Sequence, residues 1–164
     1  MSSSSIWNYI PTNDASGVSR WFFTQLYTED VVAVVRADHP LTDRFNAQDA
    51  GQFPLMLPPP GAVIGSLVRS YLRSIAMDHV TPAYETVSLA FGRRILLDTD
   101  AIWFISRGVI AKELSEGSLK ALSLNAPMMA GPVGISLRET THRHSELTAM
   151  VTALQQAASK DACL

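Results

Sequence analysis

The 164-residue sequence has little of three things: cysteine, charge of one sign and long apolar runs. Its single cysteine, Cys163, cannot form a disulfide within the chain, which is compatible with a reducing compartment. A formal net charge of −2 and a pI near 6.0 argue against a broad basic face for nucleic acid. No segment approaches the roughly 18 apolar residues of a membrane-spanning helix, and the first residues lack the pattern of an export signal. We therefore expect a cytoplasmic protein that does not contact the membrane.

The sequence also lacks the common catalytic and metal-binding patterns. It contains no Gly-x-Ser-x-Gly motif, no phosphate-binding loop with its lysine and no nucleotide-binding glycine fingerprint. His142 and His144 could be two metal ligands, but no third ligand is near in sequence and the intervening Arg143 opposes a cation. His39 stands between a predicted strand and Pro40, which favours a hydrogen-bonded corner over a general base. We expect no enzymatic activity, no metal site and no cofactor.

What is present is the composition of a globular α/β protein. With 47% hydrophobic and 17% charged residues, the chain can form one full core or two small lobes. The β-branched run VVAVVR at residues 31–36 predicts a strand that is covered on both faces. Apolar residues recur every three or four positions over residues 62–76, which predicts an amphipathic helix. Other strands are predicted at residues 84–87, 101–105, 119–124 and 132–138, and other helices at residues 89–97, 109–114 and from Ser145 onward. The inward face of the last helix is predicted to contain Leu147, Met150, Val151 and Leu154. This alternation predicts helices packed on a mainly parallel sheet.

Three strand-to-helix junctions are the candidates for a ligand-binding site. They lie at residues 59–63, 86–89 and 106–109. Ligands of open α/β sheets bind beyond the carboxyl ends of the strands, where helix N-termini present free N–H groups to anions. Parallel strands would bring all three junctions to one edge of the sheet, and small residues there allow close approach of a ligand to the backbone. The candidate ligand-binding residues are Gly61, Thr86, Ser88, Ser106 and Arg107.

Arg107 is the most informative of these candidates. Its planar guanidinium group suits a carboxylate, and a cation at a helix N-terminus is unfavourable unless an anion is present. Each candidate also has a simpler interpretation. Arg107 can be a solvated loop residue, Ser88 can be only the N-cap of the following helix, and Gly61 can serve only to end the proline run before it.

Several segments together resemble the effector-binding domain of LysR-type transcriptional regulators. Residues 31–41, VVAVVRADHPL, resemble the strand and Asp-His-Pro-Leu corner at the crossing between the two lobes of that domain. Residues 102–124 resemble a strand, helix and strand of its second lobe. The resemblance covers about residues 26–158 in the order found in the family. Within the family, residues 85–88 (ETVS) and 131–134 (GPVG) look most like regulators of protocatechuate catabolism.

The resemblance implies a periplasmic-binding-protein type II-like fold with two lobes. The second lobe is expected at residues 38–127, and an incomplete first lobe at residues 1–37 plus 128–164. Nothing in the sequence corresponds to the winged helix-turn-helix, to the linker helix or to the opening of the first lobe. The chain therefore looks like a fragment of a regulator, and DNA would be contacted only through the absent N-terminal helix-turn-helix.

The function implied by the resemblance is effector sensing. A small carboxylate, for example an intermediate of aromatic catabolism, would bind between the lobes, with Arg107 as its main cation. Binding would favour one orientation of the lobes and so alter how the subunits of a homodimer or tetramer sit on DNA. The helix at residues 62–76 and the strand after it would form the dimer contact. A solute-binding protein of a transporter shares this architecture and is the alternative, although such a protein normally carries an export signal.

Overall fold

The computed structural model describes residues 8–9, 12–14, 17–19, 21–138 and 145–161. The chain divides into two compact units, which we call the central unit (Glu29–Ala130) and the terminal unit (Met1–Thr28 with Gly131–Leu164). The strand at residues 31–36, which was expected in the first lobe, lies in the central unit. The correspondence between these units and the two lobes of the family stays a prediction.

The elements alternate between strand and helix over most of the central unit. The strands are β1 (Asn8–Tyr9), β2 (Thr12–Asp14), β3 (Gly17–Ser19), β4 (Trp21–Arg36), β5 (Leu55–Leu57), β6 (Tyr84–Glu85), β7 (Ile102–Ser106), β8 (Leu119–Leu122) and β9 (Ala130–Arg138). The α-helices are α1 (Ala47–Ala50), α2 (Gly65–Ser74), α3 (Leu89–Asp98), α4 (Ala111–Glu116) and α5 (Ser145–Asp161). Two 3₁₀ helices span Arg107–Ile110 and Pro127–Met129. Among the described residues, no helix combines the length and apolarity needed to cross a bilayer.

The sheet of the central unit is mixed. Its strand order is β8, β4, β7, β5, β6. β5 runs parallel to β6 and to β7, whereas β4 runs antiparallel to both of its neighbours, β7 and β8. The expected parallel strands are therefore present, but β4 runs against them. The long run TEDVVAVVR has no turn signal that would have indicated this direction, because strand direction is decided by pairing and not by local sequence.

Both faces of this sheet are covered, as the uninterrupted run in β4 predicted. Ala33 and Val35 of β4 belong to one core cluster, which includes the buried face of α2. Val34, between them, points to the other face and packs in a second cluster with Trp103 and with Leu96 of α3. Alternate residues of a strand point to opposite faces, so a strand with apolar residues at every position requires helices on both sides.

The helices follow the predicted periodicity. The buried residues of α2 are Gly65, Val68, Tyr71 and Leu72, which recur at the spacing of one helix face. α3 begins after Ser88, whose side chain accepts a hydrogen bond from the backbone N–H of Phe91. α4 ends at Gly117, which adopts the left-handed conformation (φ +70°) that favours glycine at this position.

The terminal unit contains strands that pair with β4 and one long helix. The first part of β4, up to Thr28, belongs to this unit. β1 pairs with that part of β4, β9 also pairs with β4, and β2 pairs with β3. In α5, Leu147 and Val151 are half-buried and Ala158 is buried. Met150 and Leu154 are 53% and 42% exposed, so the prediction that they face inward was wrong. The buried stripe follows the i, i+4, i+11 spacing of Leu147, Val151 and Ala158, and the two exposed residues lie on one side of it.

Candidate ligand-binding site

The three predicted junctions lie at one edge of the central sheet. β5, β6 and β7 are parallel, so their carboxyl ends, followed by residues 59–63, 86–89 and 106–109, point the same way. β8 has the same direction, because it and β7 are both antiparallel to β4. β4 also passes this edge, with Val31, in the second half of the strand, opposite Ser106. That a ligand binds at this edge stays a prediction.

Three of the candidate residues lie at this edge and take part in contacts within their own segments: Gly61, Thr86 and Ser88. The Thr86 hydroxyl accepts a hydrogen bond from the Ser88 N–H (2.9 Å), and the Ser88 hydroxyl accepts one from the Phe91 N–H (3.4 Å). Both oxygens thus satisfy amides at the start of α3, and the simpler interpretation of Ser88 as a helix cap is confirmed. Gly61 follows Pro60 in a turn closed by the Ala62 N–H on the Pro59 carbonyl (2.9 Å), and the space beside it is open.

A cavity of about 420 Å³ opens where β7 and β8 end, beside residues 30–32 in the second half of β4. Its polar and charged lining residues are Asp30, Asp43, Arg107, Ser123 and Asn125. Of the five candidate residues, only Arg107 lines this cavity; Gly61, Thr86, Ser88 and Ser106 do not. The sequence contains no direct signal for Asp30. This residue reaches the cavity only through the antiparallel pairing of β4 with β7, which lies far away in sequence.

Arg107 is exposed at the start of its 3₁₀ helix. Arg36, Arg69, Arg93 and Arg94 each form an ion pair with a carboxylate. Within the part of the chain that the structure describes, the Arg107 guanidinium has no ion-pair or hydrogen-bond partner. Asp30 and Asp43 line the same cavity, but no carboxylate oxygen of either lies within 4.0 Å of a guanidinium nitrogen of Arg107. Its five N–H donors are therefore available to a ligand.

The amide of Gly108 is already occupied. Its N–H donates a hydrogen bond to Glu29 Oε1 at 2.9 Å, and a Cβ at this position would lie 2.9 Å from Glu29 Oε2. The expectation of a free backbone donor at this junction was wrong for Gly108. Glu29 is 79 residues away in sequence, so no local pattern could have indicated that a carboxylate of the protein itself takes this amide.

His39 is part of a structural corner. It is 3% exposed, its Nδ1 accepts a hydrogen bond from the Leu41 N–H (3.0 Å), and its Nε2 lies 3.1 Å from the Asp100 carbonyl oxygen. Nδ1 needs a free lone pair to accept, so we assign the proton to Nε2, which donates to Asp100. Burial lowers the pKa of His39. The predicted hydrogen-bonded corner is confirmed.

The described residues contain no group of three His, Cys, Asp or Glu side chains that could hold a metal ion. Residues 142–144, which carry the two histidines considered above, lie outside the described residues, as does Cys163.

A protein-family model for the LysR substrate binding domain matches residues 15–159 of the chain. The chain belongs to this family. Its fold is the periplasmic-binding-protein type II-like fold of LysR effector-binding domains, as the sequence predicted.

Relatives of the chain include the HTH-type transcriptional regulator PcaQ of Agrobacterium fabrum, which is 36% identical over 140 residues. That match covers 84% of this chain and 45% of PcaQ, so the chain spans less than half the length of this relative. A more distant relative is the regulator YdcI of Escherichia coli, 24% identical over 132 residues, with 80% of this chain and 43% of YdcI covered.

Solved structures of LysR effector-binding domains have the same fold. The effector-binding domain of QuiR in complex with shikimate aligns with a TM-score of 0.67 at 17% identity, covering 85% of this chain and 66% of QuiR. The regulatory domain of CcmR from Synechocystis PCC6803, in complex with 2-PG, aligns with a TM-score of 0.70 at 12% identity, covering 92% and 72% of the two chains. At such low identities these similarities establish the fold alone.

Proposed function

We propose that the chain is the effector-sensing domain of a LysR-type transcription factor and that it binds a small carboxylate in the cavity at the ends of β7 and β8. The observation that carries this proposal is the unpaired guanidinium of Arg107 in the lining of that cavity. Arginine presents a planar fork of donors that matches a carboxylate, and such charge-assisted pairs are among the stronger hydrogen bonds. The location also agrees with the general preference of ligands for the carboxyl ends of strands in α/β sheets.

The chemistry of relatives supports a small anionic effector. The QuiR domain was solved with shikimate, which is a carboxylate. The sequence is 36% identical to PcaQ and resembles regulators of protocatechuate catabolism. Carboxylates from aromatic catabolism are therefore the first compounds to test.

In the proposed mechanism, the effector shifts a pre-existing equilibrium between conformations of the whole regulator. The regulator would be a cytoplasmic homodimer or tetramer that contacts DNA through a helix-turn-helix outside the present sequence. α2 and β6 would contribute to the subunit contact. An effector can shift the equilibrium only by its difference in affinity for the two conformations, so the cavity must differ between them.

Isothermal titration calorimetry of the 164-residue chain with small carboxylates, combined with a test for turnover, examines this proposal. Loss of a charged hydrogen-bonding partner costs about 1.5–3 kcal/mol, so Arg107→Gln should weaken binding roughly 10- to 150-fold. Arg94→Gln is the matched control, because Arg94 lies on the exposed side of α3 and pairs with Asp98, away from the cavity lining. Equal affinity in wild type and Arg107→Gln would refute the site, and conversion of the ligand would indicate an enzyme. Binding that leaves the DNA affinity of the full-length regulator unchanged would favour the solute-binding alternative.

A further inference from the structure

The charges in the lining of the cavity limit which carboxylates it can accept. Among the described residues, Arg107 is the one cationic side chain in the lining, and Asp30 and Asp43 are the two anionic ones. In the part of the chain that the structure describes, neither aspartate side chain forms an ion pair or a hydrogen bond. The cavity therefore offers one site of positive charge and two strong hydrogen-bond acceptors.

The backbone N–H next to Arg107 is not available to a second anion. The N–H of Gly108, next to Arg107, is bound by the carboxylate of Glu29 at 2.9 Å. A second ligand carboxylate at this amide would have to displace Glu29, and elsewhere in the lining it would meet the negative charges of Asp30 and Asp43. Like charges repel more strongly beside a protein than in bulk water, where the solvent screens them better. A second carboxylate should therefore weaken binding.

Ser123 and Asn125 complete the polar lining. With the Asn125 amide oriented to satisfy its neighbours, its oxygen accepts from the Arg44 guanidinium (2.8 Å) and its nitrogen donates to the Ser123 hydroxyl oxygen (3.0 Å). The first of these hydrogen bonds holds the Arg44 guanidinium against the side chain of Asn125. The Ser123 hydroxyl hydrogen is free to donate to a ligand oxygen, which suits a neutral polar group.

We infer that the cavity selects a monocarboxylate that carries hydrogen-bond donors away from its carboxylate, and that it rejects di- and tricarboxylates. The inference rests on the proposed function, since Arg107 takes the carboxylate. Asp30 and Asp43 accept hydrogen bonds from the donors of the ligand. Hydroxyl groups and an ammonium group share this chemistry, and the experiment separates them.

The test is a calorimetric titration of the 164-residue chain with a matched series of aromatic acids. The probes are benzoate, the dihydroxybenzoate isomers, 3-(aminomethyl)benzoate and benzene-1,3-dicarboxylate. We expect at least one dihydroxybenzoate or the aminomethyl compound to bind at least tenfold more tightly than benzoate, and the dicarboxylate to bind no more tightly than benzoate. The donor group of the tightest ligand identifies hydroxyl or ammonium as the preferred chemistry.

Variants of the aspartates distinguish failure of the inference from failure of the proposed function. Asp43→Asn should weaken the donor-bearing ligand about tenfold and strengthen binding of the dicarboxylate, whereas Asp78→Asn, in an exposed turn, should change neither. If Arg107→Gln abolishes binding but the dicarboxylate binds most tightly to the wild type, the site is correct and the inference is wrong. If Arg107→Gln changes no affinity in the series, the proposed site itself is wrong.

Discussion

Gly92→Ala provides a sharp test of how α3 packs on the central sheet. Gly92 is buried in α3, and a Cβ there would lie 2.6 Å from two ring carbons of Trp103, which is itself 1% exposed. Overpacking of a rigid core costs about 1–3 kcal/mol, and replacing glycine by alanine within a helix returns up to about 1 kcal/mol. Real Cβ atoms essentially never make a contact this short, so the upper part of that range, about 2–3 kcal/mol, applies. After the helix gain of about 1 kcal/mol, we expect the free energy of unfolding to fall by about 1–2 kcal/mol.

Urea denaturation followed by circular dichroism measures this change. Gly61→Ala is the control, because nothing lies within 4 Å of an added Cβ there, and its effect should stay within about 0.5 kcal/mol. Trp103→Leu makes room for the added methyl group, so the two substitutions should be non-additive: Gly92→Ala should cost less in the Trp103→Leu background than in wild type. Unchanged or increased stability of Gly92→Ala would show that α3 and Trp103 are not packed this closely.

Three further predictions concern other parts of the structure. Glu29→Ala removes the acceptor of the Gly108 N–H and should lower the free energy of unfolding by about 1 kcal/mol in the same urea assay; a neutral result would contradict this hydrogen bond. Because burial lowers the pKa of His39 from its ordinary value of 6.5, the unfolded chain binds the proton more readily, so stability should fall as the pH drops below about 6.5. His39→Gln should flatten that pH dependence, whereas the exposed His79→Gln should not; equal slopes in both variants would refute the assignment. Gly134→Ala would drive a Cβ against the Thr24 carbonyl oxygen of β4 and should destabilise the pairing of β9 with β4, which hydrogen exchange of the β9 amides would detect as faster exchange; unchanged exchange would contradict this close approach.

Local elements were predictable because their causes are local. The apolar spacing over residues 62–76 is enough to specify α2, and Ser88 followed by an apolar helix specifies the start of α3. The end of α4 at Gly117 follows from the ability of glycine to adopt positive φ. The gathering of three strand ends at one edge also followed from the alternation of strands and helices.

The direction of β4 and the composition of the cavity were not predictable in this way. β4 pairs with β7 and β8, about 70 to 90 residues later, and long-range pairing leaves no periodic signal in the run VVAVVR itself. The same pairing brings Asp30 to the cavity and Glu29 to the amide of Gly108. Arg107 could be identified from its position after a strand, but the carboxylates around it could not.

The short length of β6 has a practical consequence for solutions of this chain. β6 contains only two residues and ends the central sheet on one side, and Glu85 within it is held by Arg69 of α2 at 2.6 Å. A long exposed edge strand would offer a row of unpaired amides and carbonyls to another molecule, whereas a short, charged one offers few. This side of the sheet should therefore resist aggregation through strand pairing at the protein concentrations that calorimetry requires, and a subunit contact through α2 and β6 would be made by side chains.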